Sequence, residues 1–239
     1  AALMTLGFLT PAGLDPARPA PAAASPMEHA AAAAGAVFAE RDGWKVPVGY
    51  PDRAVAALTP TVTWSDASHL GTFELQVPPG AAGDLAAAIA ALTGTEPVLG
   101  RAVRADGAWW CPVTPERLLV VSDADRTATV RAALAAGPVP FADVTTAFAG
   151  LVIAGPQARE TIARFCALDL RPAVTPVAAA RPGSIARTPG LLVREEDARY
   201  LLLVGAAFAD YLWTVVADAA TRLGGAPAAF AATEARPDA

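Results

Sequence analysis

Charge is scarce in this 239-residue chain: Asp, Glu, Lys and Arg make up 17% of it, against 54% hydrophobic residues. That balance excludes an intrinsically disordered protein. No basic cluster occurs, the net charge is −5 and the pI is near 5.0. Nothing is therefore set to neutralise the phosphates of a nucleic acid. The two cysteines, Cys111 and Cys166, show no metal or redox spacing and read as buried thiols of a cytoplasmic protein. Apolar runs are cut by Asp, Arg or Pro short of the roughly 18 residues of a membrane helix. There is no G-x-S-x-G, no G-x-G-x-x-G after a strand and no G-x-x-x-x-G-K. These absences speak against a hydrolase elbow, a dinucleotide fold and a P-loop. Two histidines without a Cys/His/carboxylate cluster predict no metal site.

What is present is alanine, proline and a repeated order of elements. Residues 1–24 are Ala/Pro-rich and read as a flexible arm, with Gly7 and Pro11 interrupting any signal-peptide core. Leu3, Met4, Leu6, Phe8 and Leu9 suit an arm that docks on a partner. Residues 25–71 hold a helix that Ser25 caps, with Pro26 in its first turn and Glu28 reaching back. A loop or short hairpin with Trp44 and Tyr50 follows.

From residue 72 the chain reads as two β-α-β-β-α copies, over 72–138 and 139–228, before a tail at 229–239. "TFELQV", "GAWWCPV" and "ERLLVVS" are the first copy's strands, and Asp123 is placed to cap its second helix. "GLVIAG", then "SIART" or "GLLVRE", then "RYLLLVG" are the second copy's strands. Corresponding strands start at 73 and 151 and at 117 and 199, offsets of 78 and 82. A near-constant offset marks a structural duplication. The fold class is α+β, with antiparallel sheets and helices packed on them. Whether the two sheets lie side by side or face to face is left open.

Three stretches bear on chemistry. "TWSDASHLG" sets His69 beside Asp66, Ser65 and Ser68. An acid–base site needs these groups at hydrogen-bond distance and an oxyanion hole, which adjacency in sequence does not supply. His69 is read as structural, its ring nitrogens satisfied by the loop backbone. Trp109 and Trp110 stand on one strand and point to opposite faces, one to the core and the other to core, pocket or interface. "REED" (Glu195, Glu196, Asp197) reads as a solvated turn.

"SPMEHAAAAAGAVFAERDGWKVPVGYPD" and then "WSDASHLGTFEL" resemble the N-terminal part of the glycine cleavage T-protein, the tetrahydrofolate-dependent aminomethyltransferase. The residues that carry this are Gly43, Trp44, Pro47, Val48 and Tyr50, then Asp66, Ser68, His69 and Gly71. From about 72 to 225, "G-P-x-A-R", "C-A-L-D-L" and "F-A-D-Y-L-W" resemble the gamma subunit of heterotetrameric sarcosine oxidase, a T-protein relative without the C-terminal barrel. The resemblance implies a subunit with no catalytic residues of its own. Larger partner subunits of the amine oxidase would carry FAD, FMN and NAD. On this chain it points to Leu70, Asp106, Trp110 and Glu196 as candidates for contact with tetrahydrofolate. "ADGAWWCPV" and "RTPGLLVREED" stand where the T-protein has G-G-x-x-D-D and R-T-G-Y-T-G-E, with only Arg187 and Thr188 kept from the latter. The alternative is a stand-alone folate-binding protein or aminomethyltransferase.

Overall fold

Apolar strands separated by Asp-Gly and Gly-Pro turns set the architecture. The computed structural model describes residues 22–51 and 60–230; of the arm expected over 1–24 and the tail expected over 229–239, residues 1–21 and 231–239 lie outside them, while Ala23–Ala24 form a strand rather than flexible arm. The first described part is a three-stranded sheet of Ala23–Ala24 (β1), Val37–Arg41 (β2) and Trp44–Gly49 (β3). Asp42 and Gly43 both take positive φ, the two-residue geometry that D-G favours, so this stretch is a hairpin. Helix α1 (Glu28–Ala33) follows Ser25, whose Oγ accepts the Met27 N–H at 3.0 Å. Glu28 does not reach back as a capping box would, because Lys45 of β3 takes its carboxylate.

Next comes Thr63–Asp66 (β4), and then both copies. The first runs through Gly71–Gln76 (β5), Ala82–Thr93 (α2), Val103–Ala105 (β6), Ala108–Thr114 (β7) and Arg117–Ser122 (β8) to Thr127–Ala136 (α3), and Phe141–Asp143 (β9) stands before the second. The second runs through Phe148–Ala154 (β10), Ala158–Ala163 (α4), Ala180–Ile185 (β11), Thr188–Glu196 (β12), Arg199–Gly205 (β13) and Ala209–Thr221 (α5) to Ala226–Pro227 (β14). "GLLVRE" lies in β12, whereas "SIART" holds only the end of β11, the two-residue turn and the first residue of β12; β6 is a strand that periodicity did not reveal. Asp123 does not cap the helix after it; Arg104 of β6 takes its carboxylate.

Strand order is β6-β7-β8-β5-β9 in one sheet and β11-β12-β13-β10-β4-β14 in the other. The sheets lie face to face. Trp109, Cys111, Leu119 and Val121 of the first meet Val152, Leu191, Leu201 and Leu203 of the second. The outer face of the first sheet, with Phe73, Trp110 and Val120, is covered by α2 and α3. The outer face of the second, with Trp64, Ile153, Tyr200 and Leu202, is covered by α1, α4 and α5. Strands buried on both faces need continuous apolar runs rather than alternation, which is what "RLLVVS" and "YLLLVG" are. Each large side chain so buried contributes about 1.5–3 kcal/mol.

The copies exchange a strand. β4 leads into β5 yet pairs antiparallel with β10; β9 leads into β10 yet pairs antiparallel with β5. The chain thus crosses between sheets twice, and both crossings are built alike. At the first, the Ser68 N–H donates to Asp66 Oδ1 (2.9 Å) and Ser68 Oγ accepts the Gly150 N–H of β10 (3.1 Å). At the second, the Thr145 N–H donates to Asp143 Oδ1 (3.1 Å) and Thr145 Oγ1 accepts the Thr72 N–H of β5 (3.0 Å). Backbone bonds Ala67 N to Gly150 O and Val144 N to Thr72 O, both 2.9 Å, complete the match. The offset of 77 from Asp66 to Asp143 and from Ser68 to Thr145 repeats the duplication.

One carboxylate ties the sheets together. Glu195 of β12 accepts the Trp109 indole N–H of β7 at 2.8 Å and Arg199 Nε of β13 at 2.7 Å, with both ion-pair side chains 13% exposed. It is not part of a solvated turn, because it shares the inward face with Leu191 and Val193.

Two expectations follow. Ser68→Ala and Thr145→Val each leave a buried backbone N–H without its acceptor and lower stability by about 1–3 kcal/mol in urea unfolding. Unchanged midpoints would make the crossings incidental. Glu195→Ala removes the acceptor of the Trp109 indole N–H and the carboxylate that pairs with Arg199, and costs about 2–3 kcal/mol by the same measurement.

Candidate functional site

Several cavities open between these elements, and two of them bear on the site. The first, about 560 Å³, lies at the crossings, between Trp44 of the N-terminal hairpin, His69, the start of α3 at Thr127, Arg131, Thr146 and Phe230. Arg41, Asp42 and Asp125 also line it, and two of its charges pair with each other. Arg131 pairs with Asp143, which also accepts the Thr145 hydroxyl at 2.7 Å. Burial pushes the Asp143 carboxyl up, but the hydrogen bonds from Thr145 and Arg131 outweigh it and hold it below its ordinary value. His69 stands edge-on to Phe230, ring centroids 5.0 Å apart. That ring contact and the cavity, rather than loop backbone, are its surroundings. Burial lowers its pKa; Asp66 opposes the shift, Arg41 adds to it and Asp42 opposes it.

The second cavity is a groove of about 660 Å³ where the layer between the sheets reaches the surface. Val113, Leu119, Phe148, Leu191 and Phe208 wall it, with Arg117 and Arg187 among its lining. Arg117 pairs with Glu74 at 2.8 Å. Arg187 sits in the two-residue turn between β11 and β12, where Ala186 and Arg187 take φ of 48° and 64°.

The residues singled out for folate contact are spread over four places. Leu70 is buried between the sheets. Trp110 is buried on the opposite, helix-covered face of the first sheet. Asp106 is exposed in the β6–β7 turn, at φ 49°. Glu196 is exposed at the end of β12. None of the four lines either cavity. Of the tryptophan pair, Trp109 faces the other sheet and Trp110 the helices, so both are core. Cys111 and Cys166 are free and buried, and burial pushes both thiols up. Among the described residues no group of three His, Cys, Asp or Glu side chains is placed to hold a metal ion, and no helix is long and apolar enough to cross a membrane. Sequence reasoning missed Glu195, Arg194 and the groove. The signal for Glu195 was its parity with Leu191 and Val193. For the groove there was none, since its walls are up to 95 positions apart, from Val113 to Phe208.

Residues 80–222, more than half of the chain, match the family described as sarcosine oxidase, gamma subunit. The chain belongs to that family. Among solved structures it is similar to a chain of the heterotetrameric sarcosine oxidase from Corynebacterium sp. U-96, solved in complex with pyrrole 2-carboxylate. That likeness has a TM-score of 0.61 and 25% identity, over 84% of this chain and 96% of that one. It also shares the fold of the glycine cleavage system aminomethyltransferase T from Bartonella henselae, with a TM-score of 0.65 at 17% identity. There it spans 88% of itself and 60% of that protein. No curated protein sequence matches the chain. The span that defines this gamma-family member holds the whole groove but excludes Trp44, His69 and Phe230 of the crossing cavity.

His69 gives a pH test. The ordinary imidazole value is about 6.5, and burial sets His69 below it. The unfolded chain therefore takes up this proton first. Stability is unaffected above about pH 6.5, declines as pH falls through the window between the two values, and declines no further from this group below it. His69→Gln removes the difference, so its Tm falls less than that of the parent chain between about pH 7.5 and 5.5. Parallel Tm curves would remove His69 from the acid response.

Proposed function

We propose that the chain is a non-catalytic, gamma-type subunit of a hetero-oligomeric amine oxidase of the sarcosine oxidase type, working in the cytoplasm. The complex would demethylate sarcosine oxidatively and pass the one-carbon unit to tetrahydrofolate. FAD, FMN and NAD are assigned to the larger subunits; for the dinucleotides FAD and NAD, this chain has mainly antiparallel sheets and no Gly-rich phosphate loop. Tetrahydrofolate is left to the partners as well, because Leu70, Asp106, Trp110 and Glu196 do not converge.

The observation that carries the reading is where the buried charges go. Glu195 holds Trp109 and Arg199. Arg194, 4% exposed, donates to the carbonyls of Thr175, Glu196 and Asp197. A charge fixed by such partners serves the fold rather than proton transfer to a substrate. Reduced, buried thiols fit the cytoplasm.

Co-expression with the larger subunits tests this. Gel filtration is expected to give one species that contains this chain and oxidises sarcosine, while isothermal titration of the isolated chain with a tetrahydrofolate analogue gives no micromolar binding. A monomer that ignores the larger subunits, or that binds the folate analogue alone, would overturn the reading.

A further inference from the structure

Resting on the subunit reading, we propose that the groove between the two sheets is the seat of a larger subunit: it takes a large apolar side chain of that subunit with a carboxylate beside it.

The apolar part of the argument is surface that continues past the cavity. Phe208 lines the groove and is 43% exposed, and Tyr211, one helical turn on along α5, is 46% exposed. Two half-exposed aromatics beside an apolar opening of about 660 Å³ have the composition of an interface centre, where Phe, Tyr and Arg are enriched. A small solute would use the cavity and leave the Tyr211 ring in water; a protein segment covers the cavity and both rings together.

Charge gives the second half. The chain is acidic, at −5 overall, yet no carboxylate lines the groove while two arginines do. Arg187 is exposed and forms no ion pair among the described residues. Arg117 keeps an Nε without an acceptor although its NH2 group holds Glu74. The complementary occupant is an acidic one.

Backbone strain at the rim is the third observation. The β11–β12 turn requires positive φ at both central residues, a conformation suited to Asn-Gly, and the chain puts Ala186 and Arg187 there. Strain of this kind persists where something else depends on the side chain. Here it holds a guanidinium at the mouth of the groove. Another exposed apolar set, Val98, Leu99, Val174 and Val177, has only a cavity of about 180 Å³ beside Leu99 and serves as the comparison.

The test is association with the co-expressed larger subunits, measured on purified components by analytical ultracentrifugation. Phe208→Asp and Tyr211→Asp place acidic side chains at the N-cap and first turn of α5, where they favour the helix, so the variants stay folded. Each is expected to weaken association at least tenfold. Arg187→Gly relieves the turn, so the free chain melts higher while association weakens several-fold and loses part of its salt dependence. Leu99→Asp is expected to associate like the parent chain. Folded Phe208→Asp and Tyr211→Asp chains with unchanged affinity would overturn the docking surface and leave the subunit reading standing. So would loss of association in Leu99→Asp alone, or a folate analogue that binds the groove while assembly is unaffected by the variants. A parent chain that fails to associate at all overturns the subunit reading, and the docking surface with it.

Discussion

The structure depends on a reciprocal strand exchange. Each copy lends the strand before it to the other copy's sheet, so neither sheet is complete alone. Removing β4 would expose the edge of β10, and removing β9 would expose the edge of β5. What fixes the exchange is small: a carboxylate, a hydroxyl two residues later and a backbone N–H across the crossing. Asp and Ser or Thr are the residues that close such turns, because a short side chain can accept from a backbone N–H two positions on. The two halves therefore hold one register relative to each other, and the layer between the sheets is set by both at once.

That layer explains the shortage of charge. Four stacked layers bury both faces of both sheets, so most strand positions must be apolar and few places remain for ionised groups. The ionised groups that do go in are matched. Glu195 has an indole N–H and a guanidinium; Arg194 has carbonyls and the Tyr200 ring, 5.9 Å from its guanidinium carbon. Unmatched, either would cost several kcal/mol. Their value is positional. Glu195 fixes β7 against β12, and Arg194 fixes the 175 loop against the β12–β13 turn.

Much of the fold was legible because the duplication is written in apolar runs and turns. Strands β5, β7, β8, β10 and β13 and the helices α2, α3 and α5 announce themselves by period and punctuation. Face-to-face packing had a signal as well: Trp109 and Trp110 in succession, and Leu191 with Leu192, are apolar on both parities, which a sheet open to water on one side does not allow. The exchange of β4 and β9 was not legible. A strand's partner is chosen by three-dimensional register, and nothing local in "TWSD" or "FAD" says which sheet receives it. Asp123 and Glu28 were misjudged for one reason. A carboxylate placed to cap a helix bonds instead to a cation that the tertiary fold brings closer, Arg104 in one case and Lys45 in the other.

The same geometry decides where function can sit. Trp109, Leu119, Val152 and Leu201 fill the space between the sheets, so a ligand cannot enter there without displacing core. His69, the residue that most invites a catalytic reading, is held at a crossing by Phe230 and kept toward the neutral form by burial. At the rim the inter-sheet layer runs out and leaves the groove of about 660 Å³ open. A duplicated sandwich of this kind offers a rigid edge with apolar depth and an unpaired guanidinium. Rigid, preorganised edges bind proteins well because little conformational entropy is lost on docking. A glycine at position 187 would relax the turn and give up the charge that Arg187 holds at that edge.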